Sequence, residues 1–266
     1  MSDAAAARKA QTRQQFNALA DAYDGGAGCF RHFGRRLVEA AGVAPGQRVL
    51  DIASGRGAVL FPAAERVGPA GEAVGIDIAD EMARAANADA ARQGIAARVR
   101  VMDAEALDFP DAAFDRVLCG FGVMFFPDQA RALAECRRVL KPGGAIGLTT
   151  WRSAQTAELE APLREVGVAP PLAPGWITEP EILSRLLSDA GFSGVRVTAD
   201  TQAFRYAAAE DYWQSARGTG MRRALDELPP DKAAHARAAL SERLGVYRRP
   251  DGYHVPCTAL LAVARR

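Results

Sequence analysis

The sequence has few cysteines and almost no net charge. Four cysteines (Cys29, Cys119, Cys136 and Cys257) are spread over 266 residues without a C-x-x-C pair, so the sequence predicts neither a zinc site nor a disulfide framework. The formal net charge is only +1, and the arginine pairs are scattered along the chain. A nucleic-acid partner or an anionic membrane surface therefore has no electrostatic support. From the cysteine spacing we also expect no bound metal.

Long apolar segments are also missing. No apolar run reaches the roughly 18 residues that a membrane span needs, and the opening residues carry charges where a signal peptide has an apolar core. We therefore expect no stable membrane insertion and a cytoplasmic location. The hydrophobic content of 49% and charged content of 24% are typical of a globular protein with a full core. The length suits one domain with an elaboration, or one and a half domains.

Short apolar segments alternate with helical stretches from about residue 45. This alternation is typical of an α/β protein in which helices cover both faces of a parallel sheet. The N-terminal alanine-rich stretch predicts a helix that is frayed until about Thr12. The predicted strands cover residues 48–53, 71–78, 97–103, 114–122, 145–151, 194–206 and 253–266, with the glycines of "KPGG" breaking the chain before the fifth.

The stretch "VLDIASGRGAVL" (49–60) reads as a strand, a tight turn and the start of a helix. A dinucleotide-binding turn has the pattern G-x-G-x-x-G, and Leu60 stands at its third glycine position, so the fit is poor. The pattern D-x-A-x-G-x-G fits better. In it, Asp51 ends the strand and is placed to accept from an ammonium or a bridging water. Small residues at 53, 55 and 57 let a ligand approach the backbone closely.

Two further acids follow predicted strands. Asp77 ends the second strand, 20 residues after Gly57 (77 − 57), where an acid meets ribose hydroxyls in nucleotide-binding proteins. Asp77 could instead cap the helix that begins near Ala79. Asp103 ends the third strand, a position suited to recognising the amino group of adenine. The third acid favours an adenosine ligand other than a nicotinamide dinucleotide.

Five segments resemble the successive motifs of class I S-adenosylmethionine-dependent methyltransferases, in the small-molecule branch that includes the ubiquinone/menaquinone C-methyltransferases. They are "FNALADAYD", "VLDIASGRG", "VGIDIADEM", "MDAEALDFPDAAFDRV" and "ECRRVLKPGGAIGLTTW". The resemblance implies a Rossmann-like, seven-stranded, mostly parallel sheet with an antiparallel last strand. The sequence departs from the family at Ala53, where glycine is usual, and at Ser54, where cysteine is common. Both residues are small.

The resemblance also implies which residues bind S-adenosyl-L-methionine. Asp51 and the turn after it would hold the methionine end, Asp77 the ribose and Asp103 the adenine edge. Ile78 and Met82 would flank the adenine. The full set of expected cofactor residues is Tyr23, Asp51, Ala53, Ser54, Gly55, Gly57, Asp77, Ile78, Met82, Asp103, Ala104, Glu105, Cys119, Gly120 and Phe121.

The expected organisation has four parts. Residues 1–44 form an N-terminal helical cap, 45–206 the cofactor-binding core, 207–250 a helical lid insertion between strands 6 and 7, and 251–266 the last strand. The insertion is far longer than an ordinary connection of about 2–6 residues.

Tyr212 and Trp213 are adjacent in this insertion. On a helix one of them can pack on the domain while the other faces a substrate cavity, although both could simply anchor the insertion. We expect the insertion and the segment from Phe16 to Phe30 to form a lid, with glycines at 25, 26 and 28 allowing movement.

The substrate site is less well defined by the sequence. Met124 and Phe125 follow the fourth strand, where they either line a substrate pocket or pack in the interior. His32 is the candidate general base, with a structural role as its alternative. His235 is expected to be a solvated surface residue.

The predicted activity is methyl transfer to a small, partly apolar metabolite, mainly by alignment and exclusion of water. Carbon, oxygen and nitrogen all remain open as the methylated atom, as do a monomer and a homodimer. The alternatives are an NAD-dependent oxidoreductase, a nucleic-acid methyltransferase and a cofactor-binding protein that does not transfer methyl groups.

Overall fold

A computed structural model describes residues 3–23, 26–154, 156–169 and 176–266. Within these ranges the strands form one sheet with the order β3-β2-β1-β4-β5-β8-β6. The strands are β1 Arg48–Ile52, β2 Glu72–Asp77, β3 Ala97–Val101, β4 Phe114–Gly120, β5 Leu140–Ser153, β6 Ser193–Tyr206, β7 Arg248–Arg249 and β8 Gly252–Arg265.

The sheet is mostly parallel. Strands β1 to β5 run parallel to their neighbours, whereas β8 lies antiparallel between β5 and β6. The two-residue β7 adds a short antiparallel pairing to β8. The predicted fold class, with its antiparallel last strand, is confirmed.

The segment "KPGG" interrupts the pairing of β5. Phe114 pairs with Leu140, but Arg116 already pairs with Ala145, so residues 141–144 bulge out of the ladder. Gly143 adopts a φ of 74° there, which glycine accepts without steric cost. The predicted break therefore lies within β5 as a bulge.

Helices flank the sheet at nearly the predicted positions. The α-helices are α1 Asp3–Leu19, α2 Cys29–Ala40, α3 Leu60–Val67, α4 Asp80–Gln93, α5 Gln129–Val139, α6 Glu160–Glu165, α7 Pro180–Asp189, α8 Ala209–Arg217, α9 Arg222–Asp226 and α10 Pro230–Leu244. Short 3₁₀ helices cover Val123–Phe125, Ala157–Leu159 and Gly245–Tyr247. No helix in the described ranges combines the length and the apolar character needed to cross a lipid bilayer.

Local signals explain several helix boundaries. Asp128 precedes α5, and its side chain accepts a hydrogen bond from the backbone N–H of Arg131 at 2.9 Å. Helix α4 carries Asp80 and Glu81 in its first turn and ends at Gly94 in a left-handed conformation. Acids near the N-terminus interact favourably with the helix dipole. Glycine after the C-terminus accepts the left-handed conformation that ends a helix.

The core has a layer on each face of the sheet. Leu50 and Ile52 point into a cluster with residues of α5 and α7. Val49 points into another cluster with residues of α2, α3 and α4. Neighbouring residues of β1 therefore face opposite layers, as the pleat of a strand requires.

Helix α1 is not frayed where the sequence predicted fraying. Lys9 is only 8% exposed and lies against the ends of the sheet. Leu19 and Ala20, at the end of the helix, pack with Ala79 and Met82. The helix is continuous through the stretch predicted to fray, where Lys9 pairs with Asp103 and Glu105, a tertiary contact that an isolated alanine-rich helix lacks.

Helices α8 to α10 form the insertion between β6 and the last strands. Tyr212 and Trp213 are 2% and 1% exposed. The hydroxyl of Tyr212 accepts from the backbone N–H of Glu158 at 3.2 Å, and Arg237 lies 4.2 Å from the centre of the Trp213 ring. Both rings pack in one apolar cluster. The expectation that one of them faces a cavity is therefore corrected, because both anchor the insertion.

Two cysteines that are distant in the sequence meet beside the same cluster. The sulfur atoms of Cys29 and Cys257 lie 3.3 Å apart, and both residues are buried. The two residues are 228 positions apart in the sequence, which did not predict this contact.

Candidate active site

The acids and the glycine-rich turn meet at one edge of the sheet. Strands β1 to β4 are parallel, so their carboxyl ends lie together, which is where ligands bind in open α/β sheets. One cavity there is lined by Ala53, Asp77, Asp103 and Phe121, with Tyr23 contributed by the N-terminal part of the chain. We call this the adenosine cavity.

The turn after β1 uses left-handed backbone conformations. The φ angles are 55° at Ala53, 52° at Gly55 and 85° at Gly57. The φ of Gly57 favours glycine, and a Cβ atom there would lie 2.6 Å from the ring of Phe61, which would have to move. Ala53 adopts the same region with a side chain, at some conformational cost.

Asp77 connects this turn to the start of α4. Its carboxylate accepts from the backbone N–H of Gly55 at 2.8 Å and from that of Ala79 at 2.8 Å. Burial raises the pKa of this carboxyl above its ordinary value. Asp77 thus fixes the turn while also lining the adenosine cavity, whereas helix α4, whose N-cap is Ala79, has no side-chain cap.

Asp51 is a buried acid near the end of β1. It is 1% exposed, and neither carboxylate oxygen has a hydrogen-bond partner in the described part of the chain. Burial raises its pKa well above the ordinary value, and the nearby Ser54 hydroxyl and Leu60 backbone N–H oppose this rise only in part. Such an unsatisfied group is costly unless a ligand completes it. Asp51 lines a second cavity that continues along the turn and also contacts Arg31 and Arg35 of α2. We call this the methionine cavity.

Asp103 and Glu105 are joined by a residue that the sequence did not identify. The Nζ atom of Lys9 lies 2.6 Å from Asp103 Oδ2 and 2.5 Å from Glu105 Oε2. Burial by itself would lower the pKa of Lys9, but hydrogen bonds to the two acids outweigh it and raise the pKa. Lys9 lies 94 positions from Asp103, and nothing in the local sequence of α1 indicates this contact.

Aromatic rings form the wall at the end of β4. Phe121 has a φ of 56°, and its ring stacks on Trp151 with centroids 3.9 Å apart. Its backbone N–H donates to Thr149 Oγ1 at 3.1 Å. Tyr23 stacks on Phe30 at 5.1 Å. These contacts hold Tyr23 and Phe121 at the boundary of the adenosine cavity.

A third cavity of about 840 Å³ opens on the other side of this wall, and we call it the acceptor cavity. It shares Tyr23, Phe121 and Phe125 with the adenosine cavity. Its other apolar lining includes Phe16, Phe30, Met124, Trp151, Trp176 and Met221. A mostly apolar cavity of this size is typical of a small-molecule site. Met124 and Phe125 line it, and Met124 also packs in the core cluster, so the choice between a substrate contact and an interior position stays a prediction.

Most of the expected cofactor residues contact the two ligand cavities. Those of the adenosine cavity are Tyr23, Ala53, Gly55, Asp77, Ile78, Asp103, Ala104, Glu105, Gly120 and Phe121. Asp51, Ser54 and Gly57 line the methionine cavity. Met82 and Cys119 are buried in the core instead, and they support the site from behind its surface.

His32 lies apart from the cavities. Its ring contacts Phe33 at 5.0 Å and Phe204 at 5.7 Å, and it is absent from the lining of the adenosine, methionine and acceptor cavities. Its Nε2 atom is buried without a partner among the described residues. Its catalytic role stays a prediction, and the geometry favours the structural alternative. His235 is 63% exposed on its side chain.

The chain is similar to known methyltransferases. A family described as a methyltransferase domain matches residues 49–144. The chain is 37% identical to nocamycin O-methyltransferase of Saccharothrix syringae, over 85% of this chain and 88% of that protein. It is 44% identical to a ubiquinone/menaquinone biosynthesis C-methyltransferase of Bordetella avium, over 45% of this chain and 47% of that protein. The crystal structure of the YcgJ protein from Bacillus subtilis has a TM-score of 0.59 at 22% identity, covering 88% of this chain and 98% of that one.

The sheet order and the acid-lined cavities thus define a nucleotide-type binding site in a Rossmann-like fold. The chain belongs to the S-adenosylmethionine-dependent methyltransferases. It is an enzyme, and S-adenosyl-L-methionine is its cofactor. These findings support neither the oxidoreductase nor the nucleic-acid methyltransferase that the sequence left open.

The residues present fit this cofactor. A methionine ammonium would complete the unpaired oxygens of Asp51, and a carboxylate beside it would face the guanidinium groups of Arg31 and Arg35, which line the same cavity. An α-amino acid group, with an ammonium and a carboxylate on the same carbon, therefore matches the acid and the two arginines of the methionine cavity.

Proposed function

We propose that this enzyme methylates a small, ring-containing and partly apolar metabolite bound in the acceptor cavity. The observation that carries the proposal is the meeting of two cavities at Tyr23, Phe121 and Phe125. One cavity has the acids of a cofactor site, and the other has aromatic walls. A methyl donor and its acceptor would therefore approach each other across a shared aromatic boundary.

The roles proposed for the cofactor residues follow from their positions. Asp51 binds the methionine ammonium, and Arg31 and Arg35 bind its carboxylate. Asp77 accepts from the ribose hydroxyls, in addition to the two backbone N–H groups that it already accepts from. Asp103 and Ile78 contact the adenine. Oxygen acceptors that are charged and buried form strong hydrogen bonds.

Alignment is the main catalytic contribution in this proposal. When bound, S-adenosylmethionine supplies a methyl group on a positively charged sulfur, an already activated donor. The protein then has to hold the acceptor in line and keep water out, which can contribute several kcal/mol. No histidine lines the adenosine or acceptor cavity in the described ranges, which is consistent with a positioning mechanism.

The insertion takes part in the acceptor site through a different segment from the one expected. Thr219, Gly220 and Met221, between α8 and α9, line the acceptor cavity. Phe16 of α1 reaches the cavity from the opposite side and contacts Phe125 with ring centroids 5.0 Å apart. We propose that these two segments enclose the acceptor. Tyr212 and Trp213 hold the insertion in place behind them.

The names of two relatives agree with a small acceptor. One is nocamycin O-methyltransferase, and another is aklanonic acid methyltransferase of a Streptomyces strain, 44% identical over 53% of this chain. Both names specify small organic molecules. We therefore place the acceptor of this enzyme in the same broad class.

A filling substitution tests the proposed acceptor cavity. Ala157 lines it and is partly buried, so Ala157→Trp should obstruct acceptor binding. Transfer of labelled methyl groups to a panel of ring-containing acids, phenols and amines would be measured with both proteins. We expect transfer by the unmodified protein to fall at least tenfold in the variant, with S-adenosylhomocysteine affinity nearly unchanged.

Ala234→Trp is the matched control, because Ala234 is exposed on α10 and lines none of the three cavities. It should retain full activity. Undiminished transfer in the Ala157 variant would show that the acceptor binds elsewhere. Binding of NADH without binding of S-adenosylhomocysteine would contradict the whole proposal.

A further inference from the structure

Two arginines line the acceptor cavity. Arg8 and Arg152 line it, and the described residues give neither of them an ion pair or a side-chain hydrogen bond. Among the described lining residues, Glu160 is the one acid, and it lies 3.0 Å from Arg164, which is outside the cavity. The charge that the cavity offers to a ligand is therefore positive.

The two arginines come from different parts of the fold. Arg8 belongs to α1, and Arg152 follows Trp151 near the end of β5. The neighbouring cation of α1, Lys9, is held by Asp103 and Glu105. Two adjacent positions of one helix thus differ: Lys9 is neutralised by acids of the adenosine cavity, whereas Arg8 is left available to a ligand of the acceptor cavity.

The aromatic walls limit the ligand further. The rings of Phe16, Phe125 and Trp151 line the same cavity as the two arginines. Aromatic side chains favour stacked or edge contacts with flat rings. A guanidinium has only donors, is planar and pairs with carboxylate oxygens through two parallel hydrogen bonds. A ligand with a flat ring and an oxyanion would therefore contact both the aromatic side chains and the arginines.

We propose that the acceptor is a ring-containing organic oxyanion, a carboxylate or an ionised enol, whose negative charge binds Arg8 and Arg152. This inference rests on the proposed function, since it concerns the ligand of the same cavity. A cationic amine acceptor is disfavoured, because both guanidinium groups would repel it. An anion is also attracted by the positive sulfur of the cofactor, and a mostly apolar cavity strengthens that attraction.

The test uses a pair of probes that differ in charge. Anthraquinone-2-carboxylate and anthraquinone-2-carboxamide have the same rings, and their binding to the full chain loaded with S-adenosylhomocysteine would be measured by calorimetry at neutral pH. We expect the carboxylate to bind about tenfold or more tightly than the amide, the factor that one charge-assisted hydrogen bond supplies. High salt should weaken the carboxylate selectively.

Variants assign the preference to the two arginines. Arg8→Gln combined with Arg152→Gln should bring the two affinities to within about threefold of each other, while the affinity for S-adenosylhomocysteine stays unchanged. Arg223→Gln with Arg185→Gln removes the same charge from exposed surface positions and should keep the preference. This control separates a local effect from the net charge of the protein.

Three results would overturn the inference. They are equal affinities for the two probes, a carboxylate preference that survives in the double variant, and failure of either probe to bind to cofactor-loaded protein. If the protein methylates neutral acceptors and shows no preference for the anionic probe, this inference is wrong but the proposed function stands. If no acceptor is methylated, the proposed function is wrong. The probe affinities still test the anion preference in that case, because they are measured without turnover.

Discussion

Asp51→Asn should weaken binding of the methionine end of the cofactor and leave binding of its adenosine end unchanged. Both oxygens of this buried carboxyl lack partners in the described part of the chain, and the proposed ligand for them is the methionine ammonium. Asparagine keeps the shape and removes the charge. Loss of a charge-assisted hydrogen bond costs about 1.5–3 kcal/mol, so the affinity for S-adenosylhomocysteine should fall about 10- to 150-fold.

The decisive comparison is with 5′-methylthioadenosine, which contains the adenosine and sulfur but no ammonium. Its affinity should be the same for the variant and the unmodified protein. Calorimetry with both ligands measures this difference. Asp108→Asn is the control, because Asp108 is 88% exposed on its side chain and lines neither ligand cavity. An equal loss for the two ligands would refute the assignment of Asp51 to the ammonium.

The pH dependence gives an independent check. Burial raises the pKa of Asp51 above its value in the unfolded chain. Between those two pKa values the folded protein keeps a proton that the unfolded chain has released, so the contribution of Asp51 to the free energy of unfolding falls as pH rises through this window. The ammonium needs the ionised carboxylate, so cofactor affinity should rise with pH until it passes the raised pKa.

In Asp51→Asn this pH dependence of affinity should disappear, and the ligand-free protein should melt no lower than the unmodified one, because an unpartnered buried acid is removed. A lower melting temperature would show that Asp51 has a structural partner.

Three further predictions concern Asp77, Trp213 and His32. Asp77→Asn should weaken S-adenosylhomocysteine and 5′-methylthioadenosine alike, by about tenfold or more in calorimetry, because both contain the ribose; a selective effect on one would contradict the ribose role. Trp213→Ala should lower the free energy of unfolding by about 3–5 kcal/mol in denaturant titration, since the ring is 1% exposed, and a fully stable variant with altered acceptor KM would restore the cavity role. His32→Gln should lower kcat less than about tenfold, and a loss beyond about a thousandfold with cofactor binding intact would establish it as a general base.

Much of the fold could be predicted because its signals are local. The strands of the core are short apolar runs, and each of β1, β2 and β3 is ended or followed by an acid in the sequence. Asp51, Asp77 and Asp103 could be assigned to one site because parallel strands bring their carboxyl ends together. The spacing of small residues indicated a tight turn, in which Gly55 and Gly57 adopt left-handed conformations.

The acceptor site was much harder to predict. Tyr212 and Trp213 have the composition of a substrate contact, yet both are buried. Thr219 and Met221, which do line the cavity, have no distinctive pattern. Whether an aromatic residue faces a cavity or the core depends on how the insertion docks, and hydrophobic periodicity is the same in both cases.

The class of fold and the edge of the sheet at which the acids lie follow from the sequence, because periodicity and strand-end positions encode them. Three other features depend on how the chain packs: Lys9 pairs with Asp103 and Glu105, Arg31 and Arg35 line the cavity of Asp51, and Arg8 and Arg152 line one aromatic cavity. Each of them brings together residues that are far apart in the chain. Their geometry is set by the docking of α1, α2 and the insertion on the sheet, and no local pattern records it.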